Sequence, residues 1–142
     1  MAITQCAPTA FKTELMKGSH NLNTAGNTFK IAMYLSSATL NESTTVYTST
    51  GEVSGTAYVA GGNTLTGQVV SSSGTTSFVD FSDTTWSLST IANARGAMIY
   101  NSTSANKAVC ILDFGADKSS VGSDFVIQFP SADANNAIIR LV

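Results

Sequence analysis

Charge is scarce in this chain of 142 residues: Lys, Arg, Asp and Glu together make up 11% of it, against roughly 25% in an ordinary soluble domain. The formal net charge is only −2 and the charges are scattered. No basic stripe is available to neutralise a phosphate backbone, and no polybasic segment to hold an anionic membrane, so neither nucleic acid nor membrane is an expected partner. Long apolar runs are missing too, and none approaches the ~20 residues of a membrane-spanning helix. The opening Met1-Ala-Ile-Thr-Gln-Cys-Ala-Pro8 has neither a basic n-region nor an apolar h-region, which points to synthesis in a cytoplasm. Two cysteines, Cys6 and Cys110, are too few for a disulfide framework. Cys110 lies within Val109-Cys-Ile-Leu112 and reads as a small buried hydrophobe; Cys6 reads as exposed.

Groups for acid-base chemistry are equally sparse. The one histidine, His20, lies in Gly18-Ser-His-Asn21, a polar turn in which it is expected to be solvated. No G-x-S-x-G elbow accompanies the serines and aspartates, and no two His or Cys residues stand at ligand spacing. Asp113, Asp117 and Asp124 flank Gly115 to Gly122, but their spacing misses a calcium loop and reads as a solvated hairpin. Asp113-Phe-Gly115 spells a kinase magnesium motif without the rest of a kinase around it. Glu52, Asp80 and Asp83 make a glycosidase pair only if the fold brings them together. The expectation is therefore a protein with no catalytic residues, no cofactor and no metal, and not an enzyme. Asn41-Glu-Ser43 and Asn101-Ser-Thr103 match the glycosylation pattern and mark exposed loops. Tyr34, Tyr47, Tyr58, Tyr100 and Trp86 suit a sugar-stacking platform only if several face outward; core packing is the expected role of most.

What the chain does contain is β-sheet patterning. Phe29, Ile31, Met33 and Leu35 alternate with Lys30, Ala32, Tyr34 and Ser36, the mark of a half-buried strand. Glu52–Ala60 and Asn63–Val70 flank Gly61-Gly62 and read as a hairpin with a type I′ turn. Thr76–Phe81 and Thr84–Leu88 follow as strands parted by a turn at Ser82-Asp83. Asn93–Gly96 introduces the apolar runs Ala97–Asn101 and Ala108–Phe114, neighbours joined by Ser102–Lys107. Asp124–Phe129 stops at Pro130, and Ala137–Val142 is expected to pin the C-terminus in a sheet. About nine short, mainly antiparallel strands predict an all-β fold, a β-sandwich or flattened β-barrel, as one domain over residues 11–142 with an extended arm at 1–10. Ala10–Lys17 suits a short helix or a first strand. The expected core is Phe29, Ile31, Met33, Phe81, Trp86, Ile99, Ile111, Phe125, Ile127, Ile139 and Leu141.

Ala10-Phe-Lys-Thr-Glu-Leu-Met-Lys-Gly18, Thr28-Phe-Lys-Ile-Ala-Met-Tyr34, Glu52-Val-Ser-Gly-Thr-Ala-Tyr58, Ala94-Arg-Gly-Ala-Met-Ile-Tyr-Asn101 and Leu112-Asp-Phe-Gly115 together resemble small virion structural proteins of tailed bacteriophages. The similarity is one of phrase order over nearly the whole chain and transfers no residue role. It implies a capsid decoration, or cement, protein on the outer surface of the head, made in the host cytoplasm, with the major capsid protein and further copies of itself as partners. A homotrimer is the expected assembly, because icosahedral shells offer local threefold positions. The alternative is a tail or head fibre domain that binds a host-surface glycan. Ala2, Ile3, Thr4, Gln5, Cys6, Ala7, Pro8 and Thr9, which contain Pro8 and lack periodicity, are the expected capsid or subunit interface.

Overall fold

A computed structural model describes residues 2–142. The only helix among the described residues, α1 (Thr9–Met16), settles the choice between helix and strand for that segment and takes Thr9 and Ala10 out of the arm. Pro8 precedes it with φ −58° and ψ 150°, the conformation that suits the entry to a helix. Gly18 closes it in the left-handed region, φ 77°, while the Ser19 N–H returns to the Glu14 carbonyl at 2.9 Å. No helix among the described residues is long and apolar enough to cross a membrane.

The rest is strand and loop, all-β and sandwich-like with open sheets rather than a closed barrel. The larger sheet holds β1 (Phe29–Leu35), β2 (Gly55–Thr56), β3 (Asn63–Thr64), β6 (Thr84–Asn101) and β7 (Lys107–Ile127). Within it β6 is central: β7 lies along one edge, β1 and β2 along the other, and β3 borders β1. The smaller sheet is β4 (Val69–Ser73), β5 (Thr76–Asp80) and β8 (Ile139–Leu141), in that order. Every paired strand is antiparallel.

Both faces of β1 are buried, which corrects the half-buried expectation. Phe29, Ile31 and Met33 enter a core with Val79, Phe81, Trp86, Ile99, Phe125, Ile127 and Ile139, between the two sheets, and α1 adds Phe11. Ala32 and Tyr34 enter a second cluster on the opposite face, with Ile3, Ala38, Leu40, Met98, Tyr100 and Ile111. The alternation was right, but Ala32 and Tyr34 are not solvent-facing, because irregular chain covers that face as well. Tyr34 can be buried because its hydroxyl donates to the Thr48 carbonyl at 2.7 Å, which satisfies the polar group away from water.

Three further expectations change. Gly61 and Gly62 have the positive φ a tight turn requires, 96° and 76°, yet they make no hairpin: β2 pairs with β6 and β3 with β1. A Cβ on Gly62 would run into the Ile31 carbonyl, so close approach to β1 fixes that residue. Asn93–Gly96 is no lead-in turn but lies inside β6; the expected Thr84–Leu88 and Ala97–Asn101 are joined in that 18-residue strand, and Ala108–Phe114 and most of Asp124–Phe129 in the 21-residue β7. That leaves eight strands among the described residues in place of about nine. Finally, Leu141 is 59% exposed although β8 does pair with β5; the other expected core residues are buried.

The long β6–β7 ribbon is not uniform. Ala94 lies opposite Lys118 and Gly96 opposite Asp113, so two steps along β6 match five along β7. The excess forms a bulge at Phe114–Asp117, turned by Gly115 with φ 77°, which bends the strand and breaks its edge. The expected loop over Gly115–Gly122 is thus a strand that carries a bulge.

Candidate functional site

The N-terminal residues are extended as expected, but they lie against their own sheet. Ile3 bridges to Leu40 in parallel and Cys6 to Ile111 in antiparallel fashion. The Thr4 N–H donates to Leu40 O at 2.9 Å, Leu40 N–H to Ala2 O at 3.1 Å, and Cys6 and Ile111 exchange both bonds at 3.1 and 2.8 Å. Gln5 Oε1 accepts the Asp113 N–H at 3.2 Å. Ile3 and Pro8 are buried, Cys6 and Ala7 half-buried, and Ala2, Thr4, Gln5 and Thr9 exposed. This added strand covers the part of the β7 edge next to Ile111 and Asp113.

Ile3 is the anchor. A Cβ on Gly96 would stand 3.0 Å from both Ile3 Cδ1 and Ile3 Cγ2 and would collide with the Leu112 carbonyl. Gly96 therefore makes a hole in the sheet that the Ile3 side chain fills.

Glu52 organises the second polar feature. Its carboxylate accepts Tyr47 Oη at 2.6 Å, Tyr58 Oη at 2.7 Å and the Gly61 N–H at 2.7 Å. Tyr58 Oη in turn accepts the Met33 N–H at 3.0 Å, and Tyr100 Oη donates to Gly61 O at 2.7 Å. Burial, and next the bond to Glu52, push the Tyr47 and Tyr58 hydroxyls well above the usual tyrosine range. Burial, then Glu52, does the same to Tyr34. Glu52 is thus a fastener for the 47–61 segment, and it does not pair with Asp83, whose Oδ1 accepts the Phe129 N–H at 2.8 Å.

His20 is buried, contrary to expectation. Its Nε2 lies 2.9 Å from Glu14 Oε2 and its Nδ1 3.0 Å from Asn101 Nδ2, with the Phe11 ring 5.1 Å away. Asn101 Oδ1 accepts the N–H groups of Thr103 and Ser104, each at 3.1 Å, so its amide nitrogen faces the ring as donor. Neutral His20 then accepts at Nδ1 and donates from Nε2 to Glu14, tying α1 to the end of β6. Asn101, expected in an exposed loop, is fully enclosed; Asn41 is half-buried.

Of the three aspartates at the bulge, two belong to one cation. Arg95 reaches Asp113 with Nε at 3.4 Å and Asp117 with Nη1 at 3.6 Å, a clasp across Phe114–Asp117. Asp124 Oδ1 accepts the Leu88 N–H at 3.0 Å. Among the described residues no group of three or more His, Cys, Asp and Glu gathers as for a metal ion. Burial pushes the Cys110 thiol up to about 12; burial, then Glu42, raises Cys6.

Two surface features remain. A groove of about 570 Å³ runs beside β7, lined by Phe114, Phe125, Phe129 and Ile138 with Asp124 and Gln128 among its polar groups. Leu88, Val121 and Val126 stand out from the β6–β7 ribbon, Val121 at 82% exposure and Leu88 at 73%. Trp86 and Tyr34 are core residues, and Tyr58 stacks on Trp86 at 5.8 Å; these aromatics form no outward platform. Sequence reasoning missed Gly96, Glu52 and His20 as organising residues: Gly96 and His20 act through partners far along the chain, and Glu52 through Tyr47, Tyr58 and Gly61, nearby residues whose spacing follows no helix or strand period.

Comparison with family models, with curated proteins and with solved structures finds no match.

Proposed function

We propose that the chain is a phage capsid decoration protein, which binds the outer head shell as a homo-oligomer and stabilises it by bridging neighbouring major capsid subunits. The observation that carries this reading is the character of the surface. β4 is exposed along its whole length as Val-Val-Ser-Ser-Ser, the ribbon displays Leu88, Val121 and Val126, and charge is sparse throughout. Such a surface is inexpensive to desolvate, which favours broad contact with another protein over a free existence in water. Buried clusters on both faces of the larger sheet keep the body rigid, so little order has to be gained on binding. The phrase-order resemblance to small virion proteins of tailed phages points the same way. Many copies with several modest contacts each gain strength through effective concentration. Particles that lack the protein are expected to assemble with the same lattice and to release DNA at a lower temperature. Unchanged thermal release would refute the stabilising role.

A second reading, a fibre domain that binds a host glycan, is favoured by one observation. The groove beside β7 combines the partly exposed Phe114, over a floor of buried Phe125 and Phe129, with carboxylate and amide groups, a mixture that can hold the apolar face of a sugar and orient its hydroxyls. Depleted particles that keep full thermal stability but fail to adsorb to cells would establish this reading in place of the first.

A further inference from the structure

The N-terminal strand sits in a receptor built for it. Its groove offers the free β7 edge at Ile111 and Asp113, the Leu40 backbone, and a side-chain hole over Gly96 that takes Ile3. Only the arm and the groove take part in those contacts, so an identical arm from another molecule satisfies the same bonds without any new interface chemistry.

We propose that the arm is an exchangeable strand: it occupies its own groove in a lone chain and the groove of a second copy in the oligomer. This rests on the reading of the chain as a self-associating shell protein and names the contact that joins the copies. Three features support it. An emptied groove would leave part of a long edge strand unpaired, so each groove has to be filled, and each chain supplies one arm. The hinge is short and simple. Between the Cys6 bridge and the start of α1 lie only Ala7 and Pro8, and Pro8 has no N–H to leave unpaired when the chain turns there. The anchor is also discrete, because a single large side chain, Ile3, fills a hole shaped by a glycine. Exchange of an identical element is the least demanding route to a closed symmetric oligomer.

The hinge sets the geometry. Two extended residues span about 7 Å at ~3.3–3.6 Å each. The α1 start of one copy must therefore lie close to the groove of the next, which places both near the symmetry axis of a compact oligomer.

The test uses full-length chains. Two preparations with different isotope labels are mixed, unfolded and refolded together, and the oligomeric fraction is searched for through-space NMR transfer between Ile3 methyls and Gly96 Hα. Transfer between differently labelled chains is the expected result. Oligomers in which that transfer is confined within single chains would overturn the exchange and leave self-association standing. A chain that is monomeric both free and on particles would overturn both.

Discussion

Ile3 packs over Gly96 so closely that a methyl on Gly96 would stand 3.0 Å from two of its carbon atoms. Gly96→Ala is therefore expected to lift the arm off the sheet, as well as pressing on the Leu112 carbonyl. A loss of about 1–3 kcal/mol, the usual range for overpacking, should appear in denaturant unfolding, together with faster proteolysis before Pro8. Wild-type stability and protection would show that Ile3 is not anchored there.

Glu52→Ala removes the acceptor for Tyr47, Tyr58 and Gly61 at once. Hydrogen bonds to a charged group are worth about 1.5–3 kcal/mol each, and water replaces part of that at a half-buried site. A net loss of about 2–4 kcal/mol is expected, read as a lower denaturant midpoint, with Glu52→Gln less affected because it can still accept.

Stability should fall at alkaline pH. The Cys110 thiol titrates near 9.0 when unfolded and is pushed up to about 12 in the fold, and Tyr34, Tyr47 and Tyr58 are likewise raised from 10.0. Between those limits the unfolded chain has released protons that the native chain retains. Unfolding is then coupled to proton loss, and the native state weakens as pH rises. Thermal midpoints measured from pH 8 to 11 should decline from about pH 9 onward and more steeply above 10. A flat profile would contradict the burial of these groups.

Nitrogen NMR of neutral His20 should find the proton on Nε2, since Asn101 occupies Nδ1 as a donor. The opposite tautomer would mean that the Asn101 amide is turned around. His20→Ala should loosen α1 from β6 and leave a buried Asn101 donor without one of its partners, at about 1–3 kcal/mol.

Much of the fold was legible because burial leaves a local trace. Alternation from Phe29 to Leu35 and the apolar runs at Ala97–Asn101 and Ala108–Phe114 marked strands that the structure contains. Their partners were less visible. Gly61-Gly62 has the backbone angles of a turn, but the short strands on either side of it pair with β6 and β1 rather than with each other. Tyr34 looked solvent-facing because nothing nearby in sequence announces the cover from Ile3 and Leu40. His20 looked like a surface polar group for the same reason: Asn101 lies 81 positions from it, and no periodicity encodes such a pair. Ser and Gly between Asp113 and Asp124 gave no sign that the strand continues through a bulge clasped by Arg95.

The central claim is decided most directly by imaging purified particles at subnanometre resolution with and without this protein. A lattice of added density over the outer head, seated where neighbouring capsid subunits meet and absent from depleted particles, is the predicted result. Density confined to the tail tip or to fibres, with a bare head, would contradict the decoration role.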